Sequence, residues 1–381
     1  MKRLFYFGII GIILFEIAKV YFIMPMPGSQ RMNSIDTAYF LHTWRWVLRA
    51  FFWAMIVVGG FSVFSVKTKW LPAIFLLLAG GITYATNFEM AADTMFYQPS
   101  QVIQHNAATN KVGMDRLIIG VEANGEAKAY PIQYIGYHHQ VRDVLGGKPV
   151  MVTYCTVCRT GRVFEPVVDG KTDVFRLVGM DHFNAMFEDS ETGSWWRQAN
   201  GEAIAGPLKG KMLPELASTQ TSLGQWLKLH PNSKVMQPDP VYQTQYDSMS
   251  RYESGRGKSV LTRTDSLSWK DKSWVVGIRA GGAAKAFDWN RLKKERIIND
   301  RVGNVPIALL LGADNNSFFA FEKGDDDEVF TFRNDTIFTK NSAHNLLGKR
   351  LTGTGNNLKR ITAYQEFWHS WRTFHPETGR Y

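Results

Sequence analysis

The segment Ile118-Ile-Gly-Val-Glu-Ala-Asn-Gly-Glu-Ala-Lys-Ala-Tyr130 decides the fold, because the chain contains it again as Val275-Val-Gly-Ile-Arg-Ala-Gly-Gly-Ala-Ala-Lys-Ala-Phe287, 157 positions later. Each copy has two alternating, partly apolar runs around a two-residue turn, Asn124-Gly125 or Gly281-Gly282. That pattern is typical of a tight β-hairpin. Similarity at a fixed spacing indicates an internal repeat, so the sequence predicts two tandem copies of one unit.

Further matches follow in the same order, with a spacing that drifts as changes in loop length would make it. They pair Asp143 with Asp300, Gly146 with Gly303, Pro149 with Pro306, residues 208–213 with 346–351, and Trp226, His230 and Pro231 with Trp371, His375 and Pro376. This agreement predicts a β-rich α+β region made of two repeats. We place the first repeat at residues 89–237, a polar connecting segment at 238–272 and the second repeat at 273–381.

Each repeat should contain mainly strands and close with one helix. The predicted strands outside the first hairpins are 149–154, 161–168, 171–178, 305–311 and 317–322, with Asp169-Gly170 as a further hairpin turn. The closing helices are predicted near 222–229 and 363–374. Thr362-Ala-Tyr-Gln365 fits a capping box at the start of the second helix.

Three apolar segments occupy residues 1–88, at 4–24, 46–66 and 70–88. About 20 apolar residues in a helix match the hydrocarbon thickness of a bilayer, so we expect a membrane domain with three transmembrane helices. Glu16 and Lys19 interrupt the first segment, which is long and ends without a small-residue cleavage site. It therefore differs from a signal peptide, although one of the three segments could instead lie along the membrane surface.

Basic residues near the spans predict their orientation. Lys2 and Arg3 precede the first span, and Lys67 and Lys69 lie between the second and third. These positions should be cytoplasmic, which places the repeats on the periplasmic side of the inner membrane. Arg31, Arg45 and Arg49 lie toward the opposite side and oppose this orientation.

The net charge of +10 is concentrated at the N-terminus, since residues 1–88 hold eight basic and two acidic residues. The remainder carries only about +4. A weakly charged soluble region lacks the basic surface of a nucleic-acid-binding protein, so we expect no nucleic acid as a partner. The expected partner is the lipid bilayer, which the three apolar segments would enter.

The two cysteines, Cys155 and Cys158, lie in one short turn of the first repeat. Two thiols at this spacing can form a disulfide, act as a dithiol, or bind one metal. The turn follows one predicted strand and precedes another, unlike thioredoxin, in which the motif begins a helix. A structural zinc site needs four ligands, and no second pair exists. Covalent haem attachment needs a histidine where this chain has Arg159.

Two residue types near the cysteines could contribute chemistry. Arg159 could stabilise a thiolate through its positive charge. The histidines His138, His139 and His182 could accept a thiol proton or complete a metal site with the cysteines. The second repeat has Gly312 and Asn315 at the cysteine positions and Arg296 at the position of His139. The candidate chemistry is therefore confined to the first repeat, although each of these polar residues could equally be structural.

Four stretches resemble the bacterial DUF3179 family, a domain of unknown function. They are Gly125–Pro131, Val152-Thr-Tyr-Cys-Thr-Val-Cys158, Gly193-Ser-Trp-Trp196 and Gly201-Glu-Ala-Ile-Ala-Gly-Pro207, and the resemblance spans about residues 113–376. Family members typically have Tyr-Cys-Pro-x-Cys-Gly, whereas Thr156 and Arg159 replace the proline and glycine here. Some relatives are described as selenoproteins, so the resemblance implies redox chemistry at a cysteine position.

Three functions follow as hypotheses. The first is a membrane-anchored extracytoplasmic thiol–disulfide oxidoreductase, with Cys155 and Cys158 as the redox pair and His139, His182 and Arg159 assisting. The second is a copper- or zinc-binding module using Cys155, Cys158, His139 and His182. The third is a non-catalytic interaction subunit of a membrane complex, in which the cysteines only close a small disulfide.

Overall fold

The structure is a computed structural model that describes residues 1–65, 69–325 and 327–381. Val66, the predicted end of the second span, and Lys67, one of the predicted orientation signals, lie outside the described residues. The chain forms two compact units that alternate along the sequence. The first unit comprises residues 1–97, 174–197 and 202–211, and the second comprises 98–173, 198–201 and 212–381.

The described residues contain ten α-helices. They are α1 (Lys2–Tyr21), α2 (Ile35–Thr43), α3 (Arg45–Val63), α4 (Trp70–Tyr84), α5 (Ala92–Met95), α6 (Ile132–His138), α7 (Leu223–Leu229), α8 (Gln243–Met249), α9 (Trp289–Glu295) and α10 (Trp368–Phe374). Short 3₁₀ turns occur at Ser29–Arg31 and Pro240–Tyr242, and a π-helical turn, Ala85–Glu89, continues α4.

The described residues also contain twenty-six strands, most of them short. The first thirteen are β1 (Gln104–His105), β2 (Leu117–Ala123), β3 (Glu126–Pro131), β4 (Gln140–Leu145), β5 (Lys148–Cys155), β6 (Thr160–Phe164), β7 (Val167–Val168), β8 (Lys171–Thr172), β9 (Phe175–Asp181), β10 (Asn184–Asp189), β11 (Trp195–Arg197), β12 (Ala203–Ala205) and β13 (Ser218–Ser222). The rest are β14 (Lys234–Met236), β15 (Trp274–Ala280), β16 (Ala283–Asp288), β17 (Ile297–Val302), β18 (Val305–Leu311), β19 (Phe318–Glu322), β20 (Thr331–Arg333), β21 (Thr336–Phe338), β22 (Ser342–His344), β23 (Arg350–Gly353), β24 (Arg360–Ile361), β25 (Ala363–Phe367) and β26 (Gly379–Arg380).

The first unit contains three helices that are long and apolar enough to cross a membrane: α1, α3 and the continuous helix Trp70–Glu89. Helices α1 and α3 pack closely because glycines face the neighbouring backbone. A Cβ atom on Gly59 would lie 2.4 Å from the amide nitrogen of Phe5, and one on Gly8 would lie 2.9 Å from the carbonyl oxygen of Phe52. Small residues allow such close approach where helices pack in a membrane.

The first unit also contains an antiparallel sheet with the order β12-β11-β10-β9. One face of this sheet packs on residues that follow α1 and on α2. Val178, Met186, Trp195 and Ile204 of the sheet form a cluster with Ala38, against which Phe22, Ile23, Ile35 and Tyr39 pack. The sheet therefore shares a core with N-terminal residues that precede it by more than one hundred positions.

The second unit begins with a five-stranded sheet, β1-β14-β3-β2-β13, and a three-stranded sheet, β4-β5-β6. Strands β2 and β3 form a hairpin, and α6 connects β3 to β4. Strand β14 pairs parallel to β3, while β13 pairs antiparallel to β2. Helix α7 follows β13 directly, with Ser222 as its N-cap.

The same order of elements occurs in the C-terminal part of the second unit. One sheet has the order β25-β15-β16-β26, and the other has the order β17-β18-β19-β24. Helix α9 connects β16 to β17, and α10 follows β25 directly. Strand β26 pairs parallel to β16, as β14 does to β3. We call residues 98–237 of the second unit its first half and residues 273–381 its second half.

The local predictions are mostly confirmed. The turns at Asn124-Gly125, Asp169-Gly170 and Gly281-Gly282 all join paired antiparallel strands. The helix predicted near 222–229 is α7. The helix predicted at 363–374 is only partly correct, because Ala363–Phe367 forms β25 and pairs with β15. Pairing with a distant strand outweighs the capping-box pattern there, so the helix begins at Trp368.

Candidate functional site

The CxxC turn, Cys155 to Cys158, connects two paired strands, as the sequence predicts. Cys155 ends β5 and pairs with Thr160, the first residue of β6. Both cysteines are thiols and are not joined by a disulfide. Each is 0% exposed, so the turn is covered by other parts of the second unit.

The end of the connecting segment and the second half of the second unit supply part of that cover. The backbone N–H of Phe367 donates to the carbonyl of Cys158 at 2.9 Å. Lys272 donates from Nζ to the carbonyl of Val157 at 2.6 Å. The hydroxyl of Ser370 lies 3.3 Å from that of Thr160. These contacts hold the backbone of the CxxC turn and the first residue of β6.

Burial raises the pKa of the Cys158 thiol well above its ordinary value, and a hydrogen bond with Cys155 acts in the same direction. The hydrogen bond from Ser370 and the charge of Lys272 oppose this shift without reversing it. Burial lowers the pKa of Lys272 itself. Because an anion is poorly solvated in this site, the Cys158 thiolate is disfavoured at neutral pH while the turn remains covered.

His369 lies beside Lys272 and the CxxC turn. Its Nε2 is 3.1 Å from the carbonyl oxygen of Val157 and 3.2 Å from Nζ of Lys272. Burial, helped by the positive charge of Lys272, lowers the pKa of His369 to about 4. The imidazole is therefore neutral at pH 7 and only weakly basic.

Arg159 is fully buried, and its guanidinium contacts the connecting segment and the second half of the unit. Its Nε donates to Gln365 at 2.8 Å, and its terminal nitrogens contact the carbonyls of Tyr252 and Glu253. The guanidinium carbon also lies 3.6 Å from the ring centre of Trp274. These contacts give Arg159 a structural role, and its predicted influence on a thiolate stays a prediction.

His139 lies between α6 and β4, in the left-handed region with φ of 61°. Its Nδ1 donates to the carbonyl of Tyr154, the residue before Cys155, at 3.0 Å. Burial lowers the pKa of His139 to about 4, so it is neutral at pH 7. His138 instead places Nε2 2.6 Å from the hydroxyl of Tyr246.

His182 belongs to the first unit, whereas both cysteines belong to the second. Its Nδ1 lies 2.6 Å from a carboxylate oxygen of Asp181, which also pairs with Arg197. Within residues 1–65, 69–325 and 327–381, no three His, Cys, Asp or Glu side chains gather closely enough to hold a metal ion. The predicted copper or zinc site stays a prediction that no arrangement of ligands in these ranges favours.

Lys272, His369 and Ser370 were not predicted from the sequence. All three lie at least 114 positions after Cys158, and Lys272 lies in the segment predicted to be only a connection. One signal could have identified them. By the spacings of the matched segments, they correspond to Asp115, Gly224 and Gln225 in the first half, so these positions differ between the halves just as the cysteine positions do.

The sequence profile of a family described as "Protein of unknown function (DUF3179)" matches residues 98–378. The chain belongs to the DUF3179 family. The match begins at the first residue of the second unit and includes the CxxC turn, Lys272, His369 and Ser370. Neither the comparison with curated proteins nor that with solved structures found a match. In this DUF3179 protein, the three apolar helices lie outside the matched range.

Proposed function

We propose that the protein is a membrane-anchored thiol–disulfide redox module in which Cys155 and Cys158 form the redox pair. The observation that carries this proposal is the contact between the two thiols, which form a side-chain hydrogen bond inside one covered turn. Two thiols that touch can become a disulfide without rearranging distant parts of the chain. His139 and His369 each contact the backbone at or beside the turn, and they are the groups proposed to assist proton transfer.

The proposed reaction is an exchange with the disulfide of a partner protein or small molecule. A thiolate of the pair attacks the partner disulfide, forms a mixed disulfide and releases the first partner thiolate. The second cysteine then attacks the mixed disulfide, which releases the second partner thiolate. The cysteine pair loses two electrons and two protons, and the partner gains both as it becomes a dithiol.

Burial also indicates the direction of exchange. Ionisation at neutral pH contributes little to the stability of this reduced pair, because burial disfavours the Cys158 thiolate. Pairs with stabilised thiolates are strong oxidants, so this pair should be a reductant. We expect a reduction potential nearer to that of thioredoxin, about −270 mV, than to that of DsbA, about −120 mV.

The proposal includes a location. The three apolar helices support a membrane anchor. Lys2, Arg3 and Lys69 favour a cytoplasmic position for the N-terminus and for the connection between the second and third spans. The cysteine pair would then act in the periplasm, where disulfides persist.

We further infer that the two halves of the second unit are copies of one ancestral unit. The indole of Trp226 donates to Ser233, and that of Trp371, 145 positions later, donates to Thr378. His139 and Arg296, 157 positions apart, both have positive φ. The turn 312–317 of the second half also receives a contact, since the N–H of Ser222 donates to Ser317. Each half therefore covers the equivalent turn of the other, and only one of these turns carries cysteines.

A redox titration of the full chain in neutral detergent tests the proposal. Thiols would be counted by mass-tagged alkylation after equilibration in glutathione buffers of graded ratio. We expect the wild-type chain to convert between dithiol and disulfide and to reduce glutathione disulfide. Cys155→Ser and Cys158→Ser should each abolish this conversion, whereas the control Thr156→Ser, in the same turn, should retain it.

Either of two results would overturn the redox proposal in favour of one of the other hypotheses. Stoichiometric copper or zinc in untagged protein, lost from the double cysteine variant, would establish the metal-binding hypothesis instead. A pair that stays a dithiol in every buffer, together with stable protein partners that still co-purify with the double variant, would favour the interaction-subunit hypothesis.

A further inference from the structure

A cavity of about 850 Å³ lies within the first unit, between one end of the three long helices and strands β9 and β10. Its volume falls in the range of small-molecule sites. Both polar and apolar residues line it, and they come from α1, α3, the end of the helix Trp70–Glu89 and the sheet. The cavity does not include the cysteine pair, so a ligand bound there would be independent of the proposed redox function.

Basic side chains outnumber carboxylates in this cavity. Its lining includes four basic residues, Lys19, Arg45, Arg49 and Arg176, together with the carboxylates Asp93 and Glu188. Glu16, which is 0% exposed, pairs with two of these basic residues. Four cations thus face three carboxylates, and His42 would add a further charge when protonated.

The carboxylates are already shared between cations. Glu16 accepts two hydrogen bonds from Arg49, at 2.6 and 3.0 Å, and also lies 3.4 Å from Nζ of Lys19. Arg176 pairs with both Glu188 and Asp93. Burial alone would raise the pKa of Glu188, but its hydrogen bond with His42 and the charge of Arg176 hold this pKa at about 2. Each of these three carboxylates therefore has a cationic partner.

Arg45 carries the excess positive charge. Its guanidinium donates to the backbone carbonyl of His42 at 2.5 Å. Among the described residues, no carboxylate forms an ion pair with it. Thr83, also in the lining, has a buried hydroxyl oxygen for which the described residues offer no hydrogen-bond partner. A guanidinium and a hydroxyl are suitable donors for a phosphate group.

The rest of the lining is apolar. Val20, Ile23, Trp53 and Phe88 contribute to it, and Trp46 lies at its edge with 67% of its surface exposed. Tryptophan is enriched where a protein crosses the membrane–water interface. The cavity thus offers positive charge beside apolar surface at one end of membrane-length helices, a combination that suits an amphipathic anion.

We propose that this cavity binds the phosphate of an anionic phospholipid headgroup. Arg45, which feels the charge of Glu188 but forms no ion pair among the described residues, supplies a positive charge free to pair with the phosphate. Lys19, Arg49 and Arg176 surround the phosphate, and the apolar residues contact the start of the acyl chains. This site also explains why Arg45 and Arg49 oppose the positive-inside pattern. Their charges bind Glu16 and the headgroup and so do not report which side of the membrane is cytoplasmic.

Lipid binding by the full chain in neutral detergent tests the proposal, with labelled phosphatidylglycerol as the probe. Arg45→Gln should weaken phosphatidylglycerol binding about five-fold, the effect expected for one basic residue at an anionic membrane surface. The matched control is Arg31→Gln, because Arg31 is an exposed arginine of the same unit that does not line the cavity. The control should bind as the wild type does.

Competition identifies the source of the phosphate. Unlabelled phosphatidylglycerol should displace the probe, and phosphatidylcholine with the same acyl chains should do so poorly. Equal displacement by both lipids, or equal weakening by Arg45→Gln and Arg31→Gln, would overturn the proposal. If millimolar inorganic phosphate displaces the probe as effectively as phosphatidylglycerol does, that result would identify a soluble phosphate as the ligand and would overturn the choice of a lipid. If Arg45→Gln fails to fold, Arg45→Lys should bind with less than a two-fold change, and a larger loss would contradict a purely electrostatic role.

Discussion

Burial and one nearby cation shift the pKa of the Cys158 thiol in opposite directions. Burial disfavours its thiolate, while Lys272 and Ser370 favour it. Lys272 can do this because its ammonium is held in place by the carbonyls of Val157 and Leu261. A fixed cation in a poorly solvated site acts more strongly than one in water.

Lys272→Gln should therefore raise the pKa of the cysteine pair further. At pH 8 the alkylation rate constant of the folded protein should fall by about three- to ten-fold, since only the thiolate reacts. The measurement is the pH dependence of iodoacetamide labelling. Lys270→Gln removes an exposed lysine two positions away and should leave the profile unchanged. A faster reaction in Lys272→Gln would show instead that the lysine mainly holds the cover closed.

At this scale the sequence identified only part of the site. The cysteine spacing and the flanking apolar runs were sufficient to predict a strand–turn–strand setting, which the structure confirms. Lys272, His369 and Ser370 could not be found from local pattern, because contacts between segments more than one hundred positions apart bring them to the turn. Likewise, adjacency in sequence suggested that Arg159 faces the thiols, but its side chain contacts Gln365 and Trp274.

At the scale of elements, one contact recurs in both halves of the second unit. The helix after β13 places Trp226 on Gly120 of β2, and the helix after β25 places Trp371 on Gly277 of β15. A Cβ atom at these glycines would lie 2.4 Å from the Trp226 ring and 2.1 Å from the Trp371 ring. The absence of a side chain therefore allows each helix to pack on its sheet.

Gly277→Ala should destabilise the second unit by about 1–3 kcal/mol, the usual cost of overpacking a core. Chemical denaturation in neutral detergent, followed by tryptophan fluorescence, gives the free energy of unfolding. Gly257→Ala is the control, since a Cβ atom there would find its nearest neighbour at 3.4 Å. An unchanged stability in Gly277→Ala would mean that the Trp371 ring moves aside without loss of packing.

Hairpins were the elements best predicted from sequence, because their turns are encoded locally by Asn-Gly, Asp-Gly and Gly-Gly pairs. The error at β25 has the opposite cause. Its residues, Ala363–Phe367, pair with β15, about ninety positions earlier. Nothing within the segment itself specifies this partner. Helices α6 and α9 were also missed, since seven residues are too few to show a clear helical period.

At the scale of the whole molecule, one buried and two half-buried histidines make stability depend on pH. Burial lowers the pKa of His139, His369 and His375 from about 6.5 to about 4. Between these values the unfolded chain binds more protons than the folded one. The free energy of unfolding should therefore fall as the pH is lowered from about 6.5 to 4, by up to about 1.4 kcal/mol per pH unit for each histidine.

Thermal midpoints in neutral detergent from pH 7.5 to 4 check this prediction. In His369→Gln the thermal midpoint should fall less steeply as the pH is lowered, and the difference should correspond to about one proton. The control is His105→Gln, which replaces a histidine whose ring contacts the carbonyl of Thr109 at a solvent-exposed position, and it should leave the slope unchanged. A midpoint that is constant over this range, or one that rises on acidification, would contradict the burial of neutral imidazoles.

The alternation of the two units along the sequence has a consequence for biosynthesis. The helices at the N-terminus leave the ribosome early, but the strands that share their core are made only after residues 98–173. Strands β2 and β3 in that interval cannot complete their sheet either, because their partners β13 and β14 begin only at Ser218 and Lys234. Such distant pairings fold slowly and leave apolar surface uncovered during synthesis. Nascent chains of this protein should therefore depend on chaperones until nearly the last residue has been added.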